Sequence, residues 1–405
     1  MSKRRLHVTL GLTLAIALLA AAGSQAAVVV QCPGDNDGDA DWDKGGETQP
    51  VGTKCMHVSA GDGYATMADG RTLYVFSYAD MTGIAPKHVM RKGTLAHMTP
   101  APKIMLDEGD DFYLSLTNVG MLIRPDLFDP HTIHWHGFPE ASTVFDGVPD
   151  ASISINMGAT LTYFYHVVRP GTYAWHCHVE ATEHMQMGMM GNLYVRPAQD
   201  GTVFEFPLGS GETYDKFVYN DGDGSTGYDT DYTIQMMSFD PDFHDASETV
   251  QPLPFALMED TYPLLNGRGY PDTVNPDPLP TPDPLAPGGP STQVESSLIV
   301  ANQGDRILLR LSNLSITRYF TLATLGIPMQ VVGKDARLLR GPTGANLFYQ
   351  SNSITLGGGE TAEVILDTSG IGPGTYFLYT TNLNYLRNDT EEEPFGGMMT
   401  EIRIN

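Results

Sequence analysis

The chain repeats itself at long range. Glu108-Gly109-Asp110-Asp111-Phe112-Tyr113-Leu114-Ser115-Leu116-Thr117-Asn118 is matched in pattern by Gln303-Gly304-Asp305-Arg306-Ile307-Leu308-Leu309-Arg310-Leu311-Ser312-Asn313. Pro170-Gly171-Thr172-Tyr173 recurs as Pro373-Gly374-Thr375-Tyr376, and Gly188-Met189-Met190 as Gly397-Met398-Met399. The pairs keep their order and lie about 200 residues apart, which marks a duplicated unit. Within each unit short apolar runs alternate with polar residues, as in Arg71–Phe76, Phe112–Leu116 and Leu161–Tyr165. Gly, Pro, Asn and Asp separate the runs; 43 Gly and 28 Pro in 405 residues supply the turns. Alternation with period two describes half-buried strands, and no long helical period competes with it. The expectation is an all-β chain of two tandem β-sandwich domains.

The boundary between them is expected near residues 198–212. The full division is residues 1–26, 27–60, 61–200 and 201–405, with a Pro-rich loop over 270–290 in the last part. Residues 1–26 read as an export signal: Lys3, Arg4 and Arg5, then an apolar run from Val8 to Ala22, then the small residues of Ser24-Gln25-Ala26. The run is short for a membrane span, and no second one follows. Cleavage removes three basic residues and deepens a net charge that is already −25. Such a charge leaves no phosphate-neutralising surface on balance, which argues against nucleic-acid binding. Export, to the periplasm or outside the cell, permits disulfides. Cys32 and Cys55 lie near the mature N-terminus and are expected to pair, leaving Cys177 to be explained separately. Between that pair, Asp35-Asn36-Asp37-Gly38-Asp39-Ala40-Asp41-Trp42-Asp43 reads as a solvated acidic loop, with a calcium site as the alternative.

The histidines are concentrated. Six of the chain's 12 fall in two clusters of the first domain, and the second domain holds only His244. His131-Thr132-Ile133-His134-Trp135-His136-Gly137 is the first cluster. On a strand, His134 and His136 share a face. His176-Cys177-His178, followed by His184 and Met189, is the second; there Cys177 faces away from its two neighbours. Cys177, His131, His184 and Met189 make the ligand set of a blue-copper site, with one thiolate, two imidazoles and a weak thioether. His134, His136, His176 and His178 are left as an all-imidazole set. Zinc would accept the imidazoles but has no use for Met189.

These motifs resemble the multicopper oxidase (cupredoxin) superfamily, which includes laccases, metal oxidases and copper nitrite reductases. The resemblance implies a Greek-key cupredoxin fold in both halves. It implies type 1 copper on His131, Cys177, His184 and Met189, and type 2/type 3 copper on His134, His136, His176 and His178. Phe145-Asp146-Gly147-Val148-Pro149 resembles the family's Asp-Gly segment. The activity implied is one-electron oxidation of a small-molecule or metal-ion donor, coupled to reduction of O2. Nitrite reduction, or electron transfer and copper handling without catalysis, are the alternatives. Two departures stand out. By the repeat, Ile327–Gly333 and Tyr379-Thr380-Thr381 take the places of the two clusters and carry no ligand. A trinuclear copper cluster in the family needs eight histidines, and this chain offers four. A homo-oligomer, a trimer by analogy with nitrite reductases, is therefore expected, with copper at or near its interfaces. His244 is the only second-domain candidate for an added ligand, although an ordinary loop histidine is the simpler reading.

Overall fold

The computed structural model describes residues 28–249, 252–280, 293–388 and 395–405. The expected export signal lies outside these, as do residues 281–290 of the Pro-rich loop. Among the described residues no helix is long and apolar enough to cross a membrane.

The fold is all-β. In the first half, β1 (Thr53–Thr66), β2 (Thr72–Asp80), β4 (Asp111–Gly120) and β6 (Thr160–His166) form one sheet in the order β2-β1-β4-β6. β3 (Ala101–Asp107), β5 (His134–His136), β7 (Gly171–His176) and β8 (Met190–Arg196) form the other, ordered β3-β8-β7-β5. Alternate residues of both sheets meet in one core, among them Val58, Phe76, Leu114, Trp135, Tyr165 and Trp175. Helix α1 (Pro86–Lys92) buries Val89 in a small cluster with Ala79, Met81 and Ala96. β1 begins at Thr53, inside the stretch assigned above to the N-terminal segment, because Thr53–Ala60 pairs in parallel with β4. The Cys32–Cys55 disulfide ties the acidic segment to that strand.

A short hairpin, β9 (Phe204–Glu205) with β10 (Thr213–Tyr214), leads into the second half. There β11 (Thr230–Phe239), β12 (Tyr262–Leu265) and β13 (Ile299–Ala301) are followed by β14 (Arg306–Asn313), β15 (Phe320–Thr324) and β16 (Met329–Lys334). Next come β17 (Arg337–Leu338), β18 (Tyr349–Ser351), β19 (Ser353–Leu356), β20 (Thr361–Asp367), β21 (Gly374–Thr380) and β22 (Met399–Ile404). One sheet runs β12-β11-β14-β20-β16-β17 with β18 on β16; the other runs β13-β22-β21-β15-β19. The duplication shows in the pairing: β1 and β4 are parallel as β11 and β14 are, and β3 and β8 as β13 and β22.

That pairing corrects the placement of the lost ligands. β5 pairs with β7, and its counterpart in the second half is β15, which pairs with β21. His134 faces His176, and Ala323 faces Tyr379. The counterpart of His131–Gly137 is therefore Phe320–Gly326, not Ile327–Gly333. The latter segment enters β16, an added strand on the opposite sheet. Tyr379-Thr380-Thr381 does occupy the place of His176-Cys177-His178. The Thr380 N–H donates to the Met398 carbonyl as the Cys177 N–H does to that of Met189.

The two sandwiches touch through an apolar cluster that includes Val75, Ala174, Met190, Phe239, Leu264 and Leu314. The Thr172 N–H donates to Glu363 and the Thr361 hydroxyl donates back to the Thr172 carbonyl, fixing β20 against β7. These contacts bring the turns after β14 and β19 against the outer face of β5 and β7.

Candidate metal centres

Strand alternation separates two sets of side chains. Trp135 and Trp175 point into the core, Trp135 stacked on Tyr165 at 4.0 Å. His134, His136 and His176 take the opposite parity and face the second sandwich. Cys177 follows the end of β7 and is buried in the core beside Met187 and Met189.

Around Cys177 three ligand groups converge. Sγ lies 3.3 Å from His184 Nδ1 and 3.9 Å from His131 Nδ1. The two imidazole centroids are 4.9 Å apart. The loop from Cys177 to Met189 contains helix α2 (Ala181–Gln186), which carries His184. The loop closes where the Met189 N–H donates to the His184 carbonyl and the Cys177 N–H to the Met189 carbonyl. Gly188 makes the closure with φ +116°, and a Cβ there would meet the Phe76 carbonyl at 3.0 Å. Burial disfavours the Cys177 thiolate, yet His184 and His131 outweigh it and hold the thiol well below its ordinary value. Burial likewise opposes charge on His184, but the thiolate and Asp129 raise it to about 10. Both Nε2 atoms of the pair are buried without a hydrogen-bond partner. A buried thiolate with two imidazoles converging on it fits a soft one-electron metal such as copper, whose positive charge would replace the proton held by His184.

The other four histidines line one cavity of about 430 Å³. Ring centroids are 5.1 Å apart for His134–His178, 5.3 Å for His134–His176, 5.8 Å for His176–His178 and 5.9 Å for His136–His176. His134 donates from Nδ1 to the Asp146 carbonyl and His176 from Nδ1 to that of Cys177. Each bond leaves Nε2 with a free lone pair. Gly147, at φ +78°, allows the Asp-Gly segment to lie there, since a Cβ would fall 2.1 Å from the Ile133 carbonyl oxygen. Burial, with the neighbouring imidazoles, lowers His136 and takes His176 down to about 3. Both are neutral donors at neutral pH. Among the described residues, the triplets with ligand atoms within 4.8 Å of one another are His131/Cys177/His184 and two sets of aspartates. No three of the four cavity histidines meet that limit.

The cavity's far wall belongs to the second sandwich: Ser315, Thr317, Arg318, Tyr319, Gly358 and Gly359. Sequence reasoning missed this wall, because none of these residues is a ligand. Met185 also lines the cavity, whereas Met187 packs in the core. His244 is elsewhere. It lies on helix α3 (Pro241–Thr249), not on a loop, fully buried between the carbonyls of Tyr74 and Gln186. His57 and His97 are buried in the first sandwich; His88 and His166 are exposed. In the acidic segment the Lys44 ammonium contacts Asp37, Asp39 and Asp43, so the aspartate triplets already hold a cation of the chain's own.

Comparison with known proteins agrees with this arrangement. A multicopper oxidase family profile matches residues 81–200. Laccase-1 of Emericella nidulans is 36% identical over 107 residues, which are 25% of this chain and 15% of that protein. The blue copper oxidase of Nitrosomonas europaea superposes with a TM-score of 0.61 at 23% identity, covering 87% of this chain and 86% of that one. The copper nitrite reductase of Nitrosomonas europaea gives 0.57 at 15% identity, covering 87% and 94%. The two structural likenesses show a shared fold. The matches span less than half the length of the curated laccases. Residues 81–200 are thus similar to multicopper oxidases, and the described chain shares the fold of copper oxidases and copper nitrite reductases.

Proposed function

We propose that the chain is an exported copper-dependent oxidoreductase that withdraws single electrons from a donor and reduces O2. The observation that carries this reading is the tripeptide His176-Cys177-His178. It places a buried thiolate and two imidazoles of the second cavity on adjacent residues, so the backbone itself is the shortest covalent path between the sites. Copper, held by His131, Cys177, His184 and Met189 and by the four cavity histidines, would supply one-electron redox chemistry and a Lewis-acidic place for O2. The chain's part is to keep His136 and His176 neutral, to fix the tautomers of His134 and His176 through the Asp146 and Cys177 carbonyls, and to exclude water from Cys177. Asp129 lies 3.8 Å from His184 Nε2 and is partly exposed, so a cationic donor, including a metal ion, suits the approach to that site.

Four imidazoles do not complete a trinuclear set, and a homo-oligomer is part of the proposal. His57, His97 and His244 are buried, so a second copy can add imidazoles only from its own cavity or from the exposed His88 and His166. Nitrite reduction is the second reading, favoured by the similarity to a copper nitrite reductase over nearly all of that chain. The test is O2 uptake and nitrite turnover by copper-loaded oligomer beside a His134→Ala/His178→Ala variant. Uptake that vanishes in the variant supports the oxidase; full uptake in the variant contradicts it.

A further inference from the structure

Asp260, just before β12, is buried at 2% exposure. Its Oδ2 accepts hydrogen bonds from Ser238 at 2.5 Å, from Ser315 at 3.4 Å and from Thr317. Its Oδ1 is buried with no hydrogen-bond partner. A buried carboxylate oxygen left bare is costly. Ser315 and Thr317 line the four-histidine cavity. Asp260 also borders a second cleft of about 360 Å³, together with Glu259, Arg318, Asn384 and Tyr385. One carboxyl group therefore stands between an outer cleft and two hydroxyls of the histidine cavity.

We propose that Asp260 is the proton-loading group of the histidine cavity, acting through Ser315 and Thr317. This rests on the reading that the acceptor is reduced in that cavity. Reduction of O2 to two waters takes four electrons, delivered from the donor, and four protons. For each proton, Asp260 gives its carboxyl hydrogen to the Ser315 or Thr317 oxygen as that hydroxyl releases its own hydrogen into the cavity. Water in the outer cleft then reprotonates the carboxylate. The net change is one proton moved inward, with Asp260 and the hydroxyl restored. Burial raises the Asp260 carboxyl, opposed by the Ser238 and Thr317 hydroxyls and the Arg318 guanidinium, while the Asp240 carboxylate adds to the rise. The second sandwich thus has a chemical task although it holds no copper ligand.

The experiment compares copper-loaded wild type, Asp260→Asn, Asp260→Glu and a Ser315→Ala/Thr317→Val variant, with the visible absorption band of the thiolate site as the control for folding. The expected result is an unchanged band and an O2 uptake at least tenfold lower in Asp260→Asn and in the hydroxyl variant. Wild-type uptake should fall as pH rises through the Asp260 titration. Asp260→Asn should lose that limb, and Asp260→Glu should restore both rate and limb. Uptake within twofold of wild type and an unchanged pH profile in Asp260→Asn would overturn the relay. A wild type that binds copper and shows the band but consumes no O2 would overturn the oxidase reading on which the relay rests.

Discussion

Gly359→Ala is a sharp test of how the two sandwiches share the histidine cavity. Gly359 sits in the turn between β19 and β20 at φ +84°, and its N–H donates to the Asn313 carbonyl. A Cβ there would lie 2.5 Å from His136 Cε1 and 2.7 Å from Nε2. Ordinary contact is about 3.5–4.0 Å, so the imidazole must retreat by roughly 1 Å or rotate away. The backbone cost of a side chain in this conformation is about 1–2 kcal/mol. His136 is on the exposed side of the cavity and can yield, so the total loss of stability should stay near about 2 kcal/mol, a fall of a few degrees in melting temperature. Function should suffer far more, since displacement of a reacting group by about 1 Å costs on the order of 100-fold in rate. The assay is O2 uptake against the thiolate band and the melting temperature, with His136→Ala in parallel. The expected pattern is a normal band, a small thermal shift and uptake as low as in His136→Ala. Wild-type uptake by a folded Gly359→Ala protein would refute the claim that His136 works in this cavity.

Other outcomes follow from the same geometry. Burial lowers His57 to about 4, while an unfolded histidine titrates near 6.5. The unfolded chain then binds the extra proton between those values, so stability is lost as pH falls from about 6.5 to 4, by about 3 kcal/mol for this residue. Denaturant midpoints should fall less steeply over that range in His57→Gln, and equal slopes would count against the buried neutral imidazole. The Cys32–Cys55 bond joins residues 23 apart in sequence. Reduction, or Cys32→Ser/Cys55→Ser, should cost about 3 kcal/mol by loop-closure entropy while leaving the thiolate site's spectrum unchanged. An unfolding midpoint indifferent to reductant would contradict this.

The sequence made some of this legible and hid the rest for physical reasons. Pro170-Gly171-Thr172-Tyr173 and its copy were readable because the turn into β7 and β21 needs the same residues in both halves. The histidines were readable because their chemistry leaves no substitute and their parity on β5 and β7 decides their face. Phe320–Gly326 was hidden because the ligands it lost were replaced by ordinary strand residues, leaving little more than Thr321 and Gly326 to match Thr132 and Gly137. The Met329–Lys334 strand that follows alternates just as well, so pattern alone could not choose between them. His244 reads as a loop residue because its helix is nine residues long, too short for a period to show. Its N–H groups at Asp242 and Phe243 are capped by Asp240 in a run that also reads as a turn. The wall of Ser315, Thr317 and Gly359, and Asp260 behind it, have no local signature at all. The wall meets the histidines across more than 130 residues of chain, and Asp260 across more than 80, through the packing of two sandwiches.

The account stands on Cys177 as a copper thiolate joined to a second set of imidazoles. The most direct test is copper content per chain together with the visible spectrum, on wild type and Cys177→Ser. The expected result is an intense thiolate-to-copper band in wild type, absent from Cys177→Ser, with copper retained by the four cavity histidines in both. Copper-loaded wild-type protein without that band would contradict the assignment.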